Sequence, residues 1–262
     1  MTEVRITAPL HSHFGATAAL LQRGLKVTTA IDIGCADGDF LLMLKGVRDA
    51  AGITLFNIDA NPIYEESLRE IEAVIGAGYH IGPLAAASGP VTMTQGEHSY
   101  WASLRTPDEG YWRDSGMVAK GAEQVAATTL DDLVRTRGLN GPFLLKLDVQ
   151  GGERTVLNGA RDVLAKTALV VIEVHREDFH PVHTLLDGAG FDLFDITDIG
   201  RNKAGNFAWY YGLYLERSLV PRFVAPLWTQ DAAAANVAHQ TRYRAAKLER
   251  NRQLLDVLRG QR

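Results

Sequence analysis

The sequence predicts an α/β fold: a mainly parallel sheet covered by helices on both faces and closed by an antiparallel β pair. Three observations predict it. β-prone apolar runs alternate with helix-like stretches along most of the chain. The first of these runs, Val27 to Ile33, leads into the turn Asp32-Ile33-Gly34 and then into an apolar helix-like run, Phe40 to Leu44. The last two runs, Phe191 to Ile196 and Phe207 to Leu215, follow one another with no helical stretch between them.

Taken in order, strands are expected at about 28–33, 53–58, 79–84, 143–148 and 169–174, with helices at about 13–24, 38–50, 62–76, 129–137, 153–164 and 181–189. Pro62 suits a first helical turn. The aromatic run Phe207 to Leu215 reads as a late strand paired with Phe191 to Ile196. Two regions break the alternation. Pro90 to Thr94 is a short strand-like run, and Glu97 to Gln124 is polar, glycine-containing and aromatic. The latter reads as a lid or binding loop, or as a surface excursion whose aromatics pack on the core. From about Asp231 to Arg262, alanines lead into arginines interleaved with Leu248, Leu254, Leu255 and Leu258, which reads as a helix. The expected division is a domain over 1–220 and a linker with a helical extension over 221–262, the helix serving self-association as a homodimer, with packing on its own domain or on an acidic partner as the alternatives.

Composition narrows the function. The 262 residues suffice for one large α/β domain with an appendage, at an ordinary 46% hydrophobic and 22% charged. A net charge of −4 gives no global basic field, so nucleic acid is not the expected partner. The single cysteine, Cys35, permits neither an internal disulfide nor a cysteine metal cluster. Met1 to His13 shows no basic-then-apolar signal pattern, and no apolar run approaches the ~18–20 residues that span a bilayer. A soluble, cytoplasmic protein is expected.

The first turn is the most informative segment. A dinucleotide fingerprint is G-x-G-x-x-G, but here only Gly34 fits; Ala36 and Asp39 occupy the other two positions. Asp32 would repel a pyrophosphate and suits a ligand with a cationic amine and sulfonium, such as S-adenosylmethionine. An ordinary βα turn is the bland alternative. Strand two ends Asn57-Ile58-Asp59-Ala60-Asn61-Pro62, where Asp59 would accept both hydrogen bonds of a ribose diol or merely cap the next helix.

Strand four carries Lys146 and Asp148 on one face, and strand five carries Glu173 and His175 on one face. If these strands are neighbours, the groups meet at the sheet's C-terminal edge. Methylating an alcohol calls for a general base or a metal. His175 oriented by a carboxylate would be the base; alternatively Asp148 and Glu173 would hold a divalent cation such as Mg. A structural ion pair made by Lys146 would explain the charges without chemistry. His175, His180 and His183 match no zinc spacing.

These residues resemble a known family. Asp32-Ile33-Gly34-Cys35-Ala36-Asp37-Gly38 resembles the cofactor loop of class I S-adenosylmethionine methyltransferases. Thr129-Leu130-Asp131-Asp132-Leu133, Lys146-Leu147-Asp148-Val149-Gln150-Gly151-Gly152-Glu153, Val156-Leu157-Asn158-Gly159-Ala160 and Glu173-Val174-His175 look like the FkbM family pattern T-L-D-x-L, K-I-D-V-E/Q-G-x-E, V-L-x-G-A and E-V-H. The match covers about residues 28–215. It departs at Asn57-Ile58-Asp59, where the family often has Glu-Pro, and at Gly152, where Ala is usual.

The resemblance implies a Rossmann-like seven-stranded sheet and O-methylation of a hydroxyl on a sugar, glycan intermediate or secondary metabolite. By that resemblance Asp32, Gly34, Gly38 and Asp59 would touch the cofactor, and Ala36, Asp37, Ala60 and Ser88 are expected beside them in the cofactor site. The implied reacting residues are Lys146, Asp148, Glu173 and His175. The rivals are a nucleic-acid methyltransferase, a nicotinamide oxidoreductase and a non-catalytic binding module. The missing middle glycine and Asp32 count against the nicotinamide enzyme.

Overall fold

A computed structural model describes residues 12–46, 52–96, 102–105 and 118–224 of the chain. The chain divides into two compact units, Met1–Ser218 and Leu219–Arg262. In the second, the described residues form one short helix, Val220–Val224. The tail helix expected from about Asp231 lies outside the described residues.

Among the described residues the first element of this unit is α1 (His13–Gln22), whose N-cap Ser12 accepts a hydrogen bond from the Gly15 N–H at 3.0 Å. Then follow β1 (Thr29–Ile33), α2 (Asp39–Lys45), β2 (Thr54–Asp59), a 3-10 turn at Pro62–Tyr64, α3 (Glu65–Ile75) and β3 (Gly78–Ile81). An excursion follows: β4 (Gly89–Gly96), β5 (Ala102–Ser103) and β6 (Ala119–Ala127). The chain returns through α4 (Leu130–Arg137), β7 (Phe143–Leu147), α5 (Glu153–Asn158), α6 (Arg161–Leu164), β8 (Thr167–His175) and α7 (Phe179–Gly188). It closes with β9 (Phe191–Arg201) and β10 (Phe207–Glu216).

The main sheet has seven strands in the order β3-β2-β1-β7-β8-β10-β9. The first five are parallel; β10 runs antiparallel to both β8 and β9. This is the Rossmann-like arrangement, and the strand order reverses between β1 and β7, which opens a crevice at their C-terminal ends.

The two faces of this sheet differ in chemistry. On one, Ile31, Ile33, Leu145, Leu147, Val170, Ile172 and Val174 pack against Leu130, Leu133, Val156, Leu157, Val182 and Leu186 in one buried cluster. On the other, Asn57, Asp32 and Lys146 stand side by side in register, all buried. One level nearer the C-terminal edge, Glu173 stands beside Tyr211. Buried charges are tolerated only when partnered, so this second face marks the site.

Three expectations need correction. The single helix over 153–164 is two helices, broken at Gly159. A Cβ there would lie 2.2 Å from the Ala85 carbonyl oxygen, so the chain turns where it meets that backbone. The strand ending at Phe191 to Ile196 runs on to Arg201 through irregular register. The segment 97–124 is not wholly irregular: Ala119 to Gln124 belong to β6, which pairs antiparallel with β4 in a separate three-stranded sheet. Most β6 side chains are exposed, so burial imposes no alternation for a reader of the sequence to find.

Candidate active site

Gly34 closes β1 at the crevice. Its φ is +74°, and a Cβ would sit 1.8 Å from the Asp148 carbonyl oxygen, so only glycine lets the loop after β1 meet the loop after β7. Beneath that contact, Lys146 Nζ donates to the Gly34 carbonyl oxygen at 3.1 Å and pairs with Asp32 Oδ1 at 3.1 Å. Burial pushes the Lys146 ammonium down, but Asp32 and Asp148 outweigh it and hold the group above its ordinary value, charged. Burial raises the Asp32 carboxyl, and Lys146 pulls it back.

A cavity of about 240 Å³ opens above this loop. Gly34, Ala36, Asp59, Ala60 and Asn61 line it at the β1–β2 end, and Asp148, Val149, Gln150 and Gly152 at the β7 end. Asp59 is 9% exposed. Its Oδ2 accepts from the Ala36 N–H and its Oδ1 from the Asn61 N–H, each at 2.8 Å. Burial pushes this carboxyl up to about 6 against those two hydrogen bonds. Each oxygen keeps a second acceptor position, which is what a ribose diol needs.

Asp148 is set differently. Tyr211 Oη donates to its Oδ2 at 2.5 Å, Gln150 Nε2 to its Oδ1 at 2.8 Å, and Lys146 Nζ lies 3.6 Å from Oδ2. Glu173 hydrogen-bonds to the same carboxylate. Burial opposes charge on Asp148; Lys146, Tyr211, Glu173 and Gln150 outweigh burial and hold it below the usual carboxylate value. For Glu173, burial and then the Asp148 charge push the value well up, so Glu173 is the protonated partner. His175 Nε2 lies 3.1 Å from Glu173 Oε2, and burial holds the imidazole below its ordinary value.

The structure therefore brings Lys146, Asp148, Glu173 and His175 into one cluster, but of the four only Asp148 lines the cavity. Of the expected cofactor residues, Gly34, Ala36, Asp59 and Ala60 line it. Asp32 is fully buried below the loop against Lys146. Gly38 caps α2, packed so closely that a Cβ would meet Ile71 at 2.7 Å. Asp37 is exposed, and Ser88, also exposed, donates to Asp132 Oδ2 at 2.9 Å.

A cation at Asp148 and Glu173 does not fit. Asp148 is already engaged by an ammonium, a phenol and an amide. Among the described residues no group of three or more His, Cys, Asp or Glu is placed to hold a metal ion.

Sequence reasoning missed three contributors. Tyr211 was legible only as part of a β-prone aromatic run; its place beside Glu173 depends on the β8–β10 register. Glu153, 2% exposed at the start of α5, accepts from the N–H groups of Val149 and Gly151 at 2.9 and 3.1 Å and so shapes the loop after β7. His13 stacks on the Tyr211 ring with centroids 4.0 Å apart. Its backbone and ring nitrogens both engage Asp198, at 2.5 and 2.8 Å.

No curated protein matches the chain. Among solved structures, the chain is similar to an FkbM methyltransferase from Methylobacillus flagellatus at 16% identity, over 70% of this chain and 43% of that one, with a TM-score of 0.44. The chain thus spans less than half of that protein's length. It is similar to magnesium protoporphyrin IX methyltransferase from Synechocystis with bound S-adenosylmethionine, at 10% identity, over 78% and 77% of the two chains, TM-score 0.40. A Pyrococcus abyssi tRNA (uracil-54, C5)-methyltransferase bound to S-adenosyl-L-homocysteine matches at 9% identity, over 77% and 37%, TM-score 0.41. The description "Methyltransferase FkbM domain" matches residues 32–193, well over half of the chain and the stretch that runs from Asp32 through Asp59 and Asp148 to His175. By that match the chain belongs to the FkbM methyltransferase family.

Proposed function

We propose that this protein is an S-adenosylmethionine-dependent O-methyltransferase whose acceptor is a hydroxyl of a sugar, glycan intermediate or secondary metabolite. The observation that carries the reading is one cavity with a carboxylate at each end, Asp59 with two acceptor positions to spare and Asp148 held ionised.

When bound, the cofactor supplies a methyl group on a cationic sulfonium. Asp59 binds the ribose hydroxyls. Gly34, whose carbonyl is fixed by Lys146, lets the backbone approach the ligand closely. Asp148 offers fixed negative charge at the other end, toward the cationic sulfonium. Tyr211, Gln150 and Lys146 hold the Asp148 carboxylate in place, so orientation supplies much of the rate. His175 stands behind Glu173 and orients it rather than meeting the acceptor. No divalent cation enters this scheme.

Thermal denaturation with S-adenosylhomocysteine and, separately, with NAD tests the reading, because a ligand at 100 times its Kd stabilises by about 2.7 kcal/mol. A rise in Tm with S-adenosylhomocysteine alone is expected. A rise with NAD alone overturns it.

A further inference from the structure

Ala102, Ser103 and Leu104 form part of the cavity wall; of these, Ala102 and Ser103 belong to the small sheet and pair with it at only two positions, Ser103 with Thr94 and Ala102 with Gln95. What ties them to the cavity is the next residue. Arg105 Nε donates to the Gly151 carbonyl oxygen at 2.7 Å, and its guanidinium pairs with Glu177 at 3.5 Å and with Asp178. Its backbone N–H donates to Ser103 Oγ at 3.1 Å, and that hydroxyl donates to the Gln150 carbonyl oxygen at 2.9 Å. The arginine side chain is 11% exposed. It lies against Gly151 so closely that a Cβ there would come within 2.3 Å of Nε.

The loop it grips is one that needs an outside tie. Gln150 and Gly151 both sit at positive φ, +54° and +94°, and Asp148, Val149, Gln150 and Gly152 all line the cavity. We infer that Arg105 is a positioning residue of the ligand site: acting through Gly151 and Asp178, it holds the wall Ala102–Leu104 and the loop Asp148–Gly152 together around an S-adenosyl ligand. The inference rests on the proposed function. Nε meets the Gly151 carbonyl, Nη1 Glu177 and Nη2 Asp178, a spread that the single nitrogen of a lysine does not span, so the role calls for a guanidinium.

Calorimetric titration with S-adenosylhomocysteine of the wild type, Arg105→Ala, Arg105→Lys, Asp178→Asn and the Arg105→Ala/Asp178→Asn double variant tests it, with ligand-free Tm measured alongside. Arg105→Ala and Asp178→Asn are each expected to weaken binding roughly tenfold, and the double variant no further, because one tie is lost once. Arg105→Lys is expected to recover only part of the loss. Should Arg105→Ala fail to fold, Asp178→Asn and Arg105→Lys carry the same test. Wild-type affinity in the variants, additive losses in the double, or a loss confined to Tm overturns the inference and leaves the proposed function standing. A wild type that binds no S-adenosylhomocysteine overturns the proposed function and the inference with it.

Discussion

Asp59 and Asp148 each close a parallel strand and face one cavity, yet the fold sets them oppositely. Asp59 is met by two backbone N–H groups from its own neighbourhood, and burial leaves it at about 6. Asp148 is met by side chains from three different strands and the loop after β7, and held low. The difference teaches where charge is meant to stay. At the β2 end the carboxylate is an acceptor for neutral hydroxyls and tolerates a high value. At the β7 end permanent negative charge is maintained, and the neutral Glu173 beside it is the cost of that arrangement.

The largest test acts where the two ends touch. Gly34→Ala is expected to destabilise by roughly 2–5 kcal/mol, the sum of a left-handed penalty and a collision with the Asp148 carbonyl. Gly24→Ala is the control: its φ is +92°, but nothing lies within 4 Å of the added carbon, so only the backbone penalty of about 1–2 kcal/mol applies. Urea unfolding of both variants compares them; equal losses would mean that the contact between the loops carries no constraint.

Next in size is Asp59→Ala, which removes both ribose acceptors and is expected to weaken S-adenosylhomocysteine by about 1–3 kcal/mol in calorimetry. Asp148→Asn is expected to act on a different quantity. It should lower affinity for the cationic S-adenosylmethionine by on the order of 1–2 kcal/mol while changing that for the neutral homocysteine form little. If both substitutions weaken the two ligands equally, the division of labour between the two carboxylates fails.

The same contrast explains what the sequence made legible. Asp59's partners lie at Ala36 and Asn61, within a short βα unit, and Asp-x-Asn-Pro already reads as a strand end turning into a helix. The parallel sheet was legible for a related reason: buried strands are continuous apolar runs between helical stretches. Asp148's setting was legible only in part. Lys146 reaches Gly34 across 112 residues, and Tyr211 reaches Asp148 across 63. Alternation puts Tyr211 on one face of β10, but only the pairing with β8 puts it beside Glu173. Arg105 left no signal at all, because it sits in a polar segment with no period and its partners follow β7 and β8. The self-association expected of the tail lies outside the described residues.

The smallest effect tests the β2 end alone. Because burial holds the Asp59 carboxyl at about 6, a fraction of the free protein carries a proton there in mildly acidic solution. A ribose diol donates to the carboxylate, so binding favours the ionised form and pulls the value down. The sign follows: affinity for S-adenosylhomocysteine is constant well above pH 6 and falls as pH drops through 6, by at most roughly tenfold one unit below. The ligand's own carboxylate and amine titrate outside this range. Asp148 is already held low and contributes no slope. Calorimetry at several pH values between 5 and 8, on the wild type and on Asp59→Asn, reads this directly. The variant is expected to bind more weakly with a flat profile. If it keeps the wild-type slope, the titrating group is elsewhere, and Glu153, pushed up to about 7 chiefly by burial, becomes the residue to replace.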